Sequence, residues 1–275
     1  IMNPSHSFTD RIDQFPWWGV KVLLIIGVIG AASVFVYRYS DRAENEFELI
    51  KSGALQTLEE RIKTQPSLLE KKDGEGQTLL QFAYRENELQ AVALLIENGA
   101  VVSEMDPLGR NPIIACLVNL PMLGTLLECG LNPDIPDADG IPAVHYAVLM
   151  DTADALQLLL DSGAKVDGRD RLSRTPLMQA VETDALPMVG LLVGKGGAVN
   201  AFDQRGDTAL HIAVRRRNSE MIRFLLQHDA DPRIFNFSHL TPVHIAALAG
   251  QTDLVGIFLE RPDMAELHDD ADRTP

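Results

Sequence analysis

Histidines are the residues of this chain whose spacing first suggests chemistry. His145, His211 and His244 each stand three residues after the start of a short motif, and they are 66 and 33 residues apart. A neutral imidazole can act as a general base or bind zinc, but both roles need partner side chains held close by. Because the three recur singly at equivalent positions of a repeat, we interpret them as structural residues.

Other potentially reactive side chains lead to the same conclusion. Cys116 and Cys129 fall in one repeated unit, and both are predicted to be buried as small apolar residues. The sequence contains no glycine-rich phosphate loop, no nucleophile elbow and no His-Glu-x-x-His pair. Asp137 and Asp139 lie where a turn is expected, since aspartate bonds its own backbone in turns. We therefore predict no catalytic residue, no metal site and no cofactor.

A repeated unit must position all of these residues. Its helix-start position recurs at Thr78, Asn111, Pro142, Thr175, Thr208, Thr241 and Thr274, in steps of 33, 31, 33, 33, 33 and 33 residues. A threonine caps the first amides of a helix, and proline is tolerated at the first helical position. A small alanine then lets the neighbouring helix approach closely. The pattern predicts a turn, two helices and a loop in each unit.

The motif also carries a family resemblance. The segment Thr241-Pro242-Val243-His244-Ile245-Ala246 resembles the T-P-L-H-x-A signature of ankyrin repeats, and residues 208–213 resemble it as well. The resemblance covers about residues 73–275 and implies an all-α ankyrin-repeat solenoid that acts as a scaffold. In that family the histidine links adjacent repeats by hydrogen bonds. Gln81, Ile114 and Met178 replace it in three of the repeats.

The repeat defines a domain organisation. We predict a connector and degenerate capping repeat over residues 40–72, and six repeats over residues 73–268. The second repeat is two residues short near Leu120-Pro121, which predicts a local irregularity in the stack. Residues 269–275 begin a further signature. Either the natural protein continues there or this end is disordered.

The amino-terminal region has a different composition. Residues 1–16 form a short polar tail, and we predict one transmembrane helix over residues 17–39. The stretch from Trp17 to Tyr37 contains a single charge, at Lys21. A helix of that length reaches roughly 30 Å, the thickness of a bilayer core. The alternatives are a buried core helix or a cleaved signal peptide, and the apolar run beyond Ser33 disfavours cleavage.

Small residues within this segment suggest how it could pack. Gly27, Gly30 and Ala31 would lie close together on the helix and could let another membrane helix approach. Glycine is also common in membrane helices in general, so simple anchoring in lipid is the alternative. The sequence predicts a single-pass protein of the cell membrane. The positive charges flanking the segment leave the side of the repeat domain undetermined.

The charge of the chain limits its partners. The formal net charge is −15, which argues against a surface that tracks nucleic-acid phosphates. The charge is uneven, because residues 165–235 carry eleven Lys and Arg against nine Asp and Glu. Other proteins are therefore the expected partners, in addition to membrane lipid around residues 17–39.

Residues that break the repeat pattern are the candidate binding sites. Val118, Leu149 and Met150 are apolar where the pattern expects polar residues facing a groove. Six arginines are predicted to form a positive cluster that suits an acidic or amphipathic segment: Arg171, Arg174, Arg205, Arg215, Arg216 and Arg217. Phe235 and Phe237 could recognise a partner or pack between turns. Packing within the groove, contact with lipid and simple solvation are the alternatives for the apolar residues and the arginines.

These observations predict a membrane-anchored scaffold for protein–protein interaction, most simply an accessory subunit of a membrane complex. A single-span adaptor that recruits a soluble partner is the first alternative. The non-catalytic part of a longer enzyme is the second.

Overall fold

Each unit folds as a pair of short helices. The computed structural model describes residues 45–102, 105 and 109–260. We call the first helix of each pair the inner helix and the second the outer helix. The inner helices are Leu79–Arg85, Pro112–Ala115, Ala143–Leu149, Pro176–Glu182, Ala209–Arg215 and Pro242–Leu248. The outer helices are Leu89–Glu97, Leu120–Glu128, Ala153–Asp161, Leu186–Gly194, Ser219–Gln227 and Thr252–Leu259.

A further helix pair precedes these units. It consists of Glu46–Lys51 and Leu55–Thr64, followed by the 3-10 helix Pro66–Glu70. Its apolar side is buried, and Phe47 packs edge-on against Phe82 with ring centroids 5.1 Å apart. The pair therefore covers the inner helix of the first repeat.

Side-chain caps explain where the inner helices begin. The Thr78 hydroxyl accepts from the Gln81 amide at 3.3 Å, and the Gln81 side chain accepts from the Thr78 amide at 2.9 Å. Asn111 caps the next inner helix by accepting from the Ile114 amide at 2.9 Å. These bonds satisfy amides that have no partner inside the helix. The repeated motif thus sets the register of each unit.

The core runs between the two layers of helices. Inner helices pack on inner helices and outer helices on outer helices along the stack. The small residue of the motif is buried in every repeat, as Ala83, Cys116, Ala147, Ala180, Ala213 and Ala246. Cys116 is buried as predicted, whereas Cys129 is only half-buried. The expected all-α solenoid is confirmed for the described residues.

The second repeat contains the predicted irregularity. Its inner helix, Pro112–Ala115, has four residues, whereas the inner helix of the next repeat, Ala143–Leu149, has seven. Each of the other inner helices is followed, two positions after its last residue, by a residue in the left-handed conformation. These residues are Asn87, Asp151, Asp184, Arg217 and Gly250. The two-residue deletion removes this residue from the second repeat. The missing residues therefore shorten the inner helix and leave the outer helix at full length.

A tight turn, which we call a finger, precedes each inner helix. In the finger of residues 203–207, the Asp203 side chain accepts from the amides of Arg205 at 2.7 Å and Asp207 at 3.0 Å. Fingers also bond to one another, since the Phe237 amide donates to the Arg205 carbonyl at 2.9 Å. Backbone hydrogen bonds thus join several neighbouring fingers, including Gln204 to Leu172 at 3.1 Å.

Several predictions fall on other parts of the chain. The tail, the transmembrane segment with Gly27, Gly30 and Ala31, and residues 269–275 lie outside the described residues. Within the described ranges, no helix is both long enough and apolar enough to cross a bilayer.

Candidate protein-binding surface

The fingers and inner helices together line one face of the stack, which we call the groove. The last finger residue and the last inner-helix residue of a repeat are eight positions apart and lie on this face. The equivalent pairs are Gln77 and Arg85, Ile141 and Leu149, Arg174 and Glu182, Asp207 and Arg215, and Leu240 and Leu248. These positions are therefore polar or charged in repeats one, four and five, and apolar in repeats three and six.

In the charged repeats, ion pairs join the finger to the inner helix. Arg215 forms a bidentate ion pair with the buried Asp207, with nitrogen–oxygen distances of 2.6 and 2.7 Å. The Asn236 side chain donates to the same carboxylate at 2.8 Å. Burial alone would raise the pKa of Asp207, but the hydrogen bonds from Arg215 and Asn236 outweigh it and lower the pKa. Arg174 bonds both Asp170 and Glu182 at 2.8 Å. Both arginines thus hold a finger against its own inner helix.

Four of the six arginines that the sequence predicts as a positive cluster lie in ion pairs. Arg171 pairs with Asp139 at 2.8 Å, and Arg216 pairs with Asp184 at 2.7 Å. Arg215 and Arg174 are paired as described above. Arg205 and Arg217 are exposed and form no ion pair with any residue that the structure describes. Neighbours in sequence point to different partners because the inner helix ends at Arg215 and Arg217 turns left-handed.

The apolar candidates are exposed. Val118, Leu149 and Met150 have 70%, 54% and 47% of their surface accessible. Val118 lies in the turn after the shortened inner helix, and the other two end the inner helix of the next repeat. They form the apolar part of the groove in repeats two and three. Their role in binding stays a prediction.

A second apolar region lies at the last described repeat and was not selected from the sequence. Leu248 is 66% exposed. With Leu240 and Ala249 it lines a shallow depression of about 450 Å³, and Arg215 borders it. Leu248 occupies the same repeat position as Leu149. This equivalence to Leu149 is the feature of the sequence from which Leu248 could have been identified.

The fingers carry exposed aromatic rings. Phe237 and Phe202 are 67% and 50% exposed, and their ring centroids are 6.1 Å apart in an edge-on arrangement. Phe235 lies over the imidazole of His244, with centroids 6.4 Å apart. Phe235 therefore packs within its own repeat, while Phe237 faces outward. Phe202 was missed from the sequence, although it precedes its finger as Phe235 precedes the next.

The histidines link repeats rather than converge on a site. His211 Nε2 donates to the Leu240 carbonyl at 3.0 Å, and His145 Nε2 lies 2.9 Å from the Gly168 carbonyl. Gln81 makes the same kind of link by donating to the Met105 carbonyl at 2.8 Å. Among the described residues, no group of three or more His, Cys, Asp or Glu is placed to hold a metal ion. Burial raises the pKa of the Cys116 thiol to about 12, which disfavours the reactive thiolate.

Comparison with known proteins gives a consistent family. A family model described as "Ankyrin repeats (3 copies)" matches this chain twice, over residues 113–203 and 185–269. The crystal structure of the ankyrin repeat domain of Bcl-3, a member of the IkappaB protein family, superposes with a TM-score of 0.68 at 29% identity. That match covers 78% of this chain and 99% of the Bcl-3 chain.

Curated relatives are similar over shorter stretches. The zebrafish (Danio rerio) protein "Putative palmitoyltransferase ZDHHC13" is 29% identical over 140 residues, which cover 49% of this chain and 22% of the relative. The Saccharomyces cerevisiae protein "Probable 26S proteasome regulatory subunit p28" is 30% identical over 127 residues, covering 44% of this chain and 56% of the relative. The chain thus spans about a fifth and about half of their lengths.

Proposed function

The chain belongs to the ankyrin-repeat family, and from this premise we propose that it is a membrane-anchored scaffold for protein–protein interaction. The solenoid presents a surface on which other proteins bind, as stacked repeats do in general. The observation that carries the proposal is the exposed apolar groove of Val118, Leu149 and Met150. Large apolar side chains exposed on neighbouring repeats of one face are typical of a protein contact.

The anchor is the second part of the proposal. Residues 17–39 would cross the bilayer once, in the cell membrane, and the capping helix that begins at Glu46 follows only a few residues later. The repeat domain would then lie close to the membrane surface. Gly27, Gly30 and Ala31 would let the anchor pack against a helix of a membrane complex, of which this chain would be an accessory subunit.

A single-span adaptor for a soluble partner remains the second candidate. It is favoured by the ion pairs of the groove, because an array of fixed charges beside apolar residues suits a polar, soluble partner. The two candidates differ in whether the membrane segment or the groove holds the principal partner. A catalytic role is not part of the proposal, since the ankyrin-repeat fold is in general an interaction domain. The similarity to the zebrafish protein covers half of this chain and a fifth of that one.

Extraction of the full chain from its membrane tests the proposal. We expect the protein to resist alkaline carbonate, and to migrate in mild detergent with a stoichiometric set of membrane proteins identified by mass spectrometry. Gly27→Leu with Ala31→Leu should release it from that set. Leu149→Ser with Met150→Ser should weaken the association if the groove contributes. Leu120→Ser, at a half-exposed position of an outer helix, is the matched control.

The outcomes separate the candidates. Release by the membrane-segment variant supports the accessory subunit. Retention in that variant, with loss of a soluble protein in the groove variant, supports the adaptor. Complete extraction by carbonate would contradict the anchor in both.

A further inference from the structure

The finger surface around Phe202 and Phe237 has the properties of a separate binding site. Two phenylalanine rings in contact with each other are 50% and 67% exposed to solvent. Aromatic rings are among the residues that contribute most binding energy to protein interfaces. Phe237 lies on the finger of residues 236–240 and Phe202 directly before the finger of residues 203–207, in other repeats than Leu149 and Met150.

The backbone holds Phe237 in place. Its amide donates to the Arg205 carbonyl at 2.9 Å. A Cβ atom at Gly206 would lie 2.7 Å from the Phe237 nitrogen and 2.8 Å from its ring, so the glycine permits this approach. The Phe237 backbone is therefore already ordered before a partner binds. Binding then costs less conformational entropy, which favours affinity.

Arg169 holds the backbone of Phe202. Its guanidinium donates to the Phe202 carbonyl at 2.8 Å and to the Ser173 carbonyl at 2.6 Å. One side chain thus ties the residue before the finger of residues 203–207 to the finger of residues 170–174. The aromatic pair is built on a hydrogen-bonded frame that spans three repeats.

Arg205 is the exposed charged side chain beside this aromatic pair. The finger carboxylates are turned inward, because Asp170 and Asp203 accept two backbone amides each. Asn236 takes the same role in the next finger and removes one further carboxylate. Arg205 faces solvent and has no ion-pair partner among residues 109–260. A protein of net charge −15 therefore has an aromatic surface with a positive group at this point.

We propose that Phe202, Phe237 and Arg205 form a docking site for an acidic segment of a partner protein that carries an apolar side chain beside a carboxylate. The rings would contact the apolar side chain, and the Arg205 guanidinium would bind the carboxylate through a charge-assisted hydrogen bond. This proposal rests on the proposed scaffold function and assigns a partner chemistry to residues other than Val118, Leu149 and Met150. A nucleic acid or anionic lipid fits less well, because phosphate tracking requires a row of cations and this site offers one.

Selection from a random peptide display library on the full chain in detergent tests the site. We expect enriched peptides to combine Asp or Glu with Leu, Ile or Phe. Their dissociation constants should rise at least tenfold in Phe237→Ser and in Arg205→Glu, both at exposed positions, and should stay unchanged in the control Leu120→Ser on an outer helix. Leu149→Ser is measured beside them to detect binding at the apolar residues of the groove. Thermal unfolding of each variant checks that the stack is intact.

The following results of the peptide selection would contradict the proposed docking site. Enriched peptides that are neutral or basic, or that bind Arg205→Glu normally, would overturn the assigned chemistry. Peptides sensitive only to Leu149→Ser would place binding in the groove, which leaves the scaffold function standing and removes this inference. Failure to enrich any peptide, or equal binding to single-stranded RNA and to phosphatidylserine vesicles, would also overturn it.

Discussion

His211 shows how one side chain serves two repeats. Its Nδ1 accepts from the Thr208 amide at 3.1 Å, and its Nε2 donates to the Leu240 carbonyl. Burial lowers the pKa of His211, although the hydrogen bond to Leu240 and the nearby Asp207 oppose the shift. The fold therefore favours the neutral imidazole.

This lowered pKa predicts an acid-sensitive contribution to stability. The contribution is complete above the ordinary pKa of 6.5. It is lost as the pH falls from there toward the lower folded pKa, by at most about 1.4 kcal/mol per pH unit for one proton. His211→Gln should remove this part of the pH dependence, since Gln81 caps and links its own repeat without titrating. Urea unfolding at pH 7.5 and 5.5 measures it.

A second histidine provides the control. His239 lies exposed on a finger in a left-handed conformation that asparagine tolerates. His239→Asn is therefore measured at the same two pH values as the matched histidine substitution. Equal loss of stability on acidification in the parent and in His211→Gln would contradict the assignment.

At the level of single residues, the motif predicted the helix starts well because a cap is a local interaction. Thr78, Asn111 and Thr175 cap as their positions suggest. The ion pairs were not predicted. Arg215, Arg216 and Arg217 are adjacent in sequence, but the end of a helix sends the first to a finger and the second to the preceding repeat. Such pairing depends on the geometry of the stack.

Fingers are the elements whose geometry is most constrained. Gly206 has a φ of +77° and faces the backbone of Phe237, whereas Gly76 has a φ of +78° and nothing within 4 Å of its would-be Cβ. The two glycines therefore share the left-handed conformation and differ in the space around them.

Alanine substitution of each glycine separates these two effects. Gly76→Ala should cost about 1–2 kcal/mol from the left-handed backbone alone. Gly206→Ala should cost more, because the contact with the Phe237 nitrogen must also be relieved. Chemical denaturation of the two variants gives the difference. Equal losses would show that the sixth finger yields to the added methyl group.

Element boundaries were largely predictable, and the response to the deletion was partly so. The two missing residues were assigned to the junction near Leu120-Pro121. The structure keeps the outer helix Leu120–Glu128 whole and shortens the inner helix to Pro112–Ala115. Packing explains this choice, since Met122, Leu123 and Leu126 of the outer helix are fully buried. Sequence spacing locates a deletion but not the element that absorbs it.

Across the whole molecule, the second repeat should be the weakest coupling point. Each repeat contacts mainly its neighbours, so the stability of a solenoid is a sum of units and interfaces. The four-residue inner helix offers less interface than the seven-residue helices beside it. The stack is thus divided unequally, with the cap and first repeat on one side.

We expect this division to appear in native-state hydrogen exchange of the full chain at increasing urea. Residues 45–102 should lose protection as one block at a lower urea concentration than residues 143–260. Mass spectrometry of peptic fragments follows both blocks in one sample. Simultaneous loss of protection in the two blocks would mean that the second repeat transmits stability as well as the others.

The links between repeats also have a direction. Gln81, Asn111, His145 and His211 each contact a carbonyl on the carboxyl-terminal side, in the connection to the next repeat. Met178 has no donor for this purpose, and Arg169, directly before that repeat, donates to the Phe202 carbonyl at its end instead. The repeats are therefore alike in shape but matched to a particular successor. A protein engineer who changed the order of the repeats would preserve every helix and still lose the hydrogen bonds between repeats, because the order of the repeats is part of the fold.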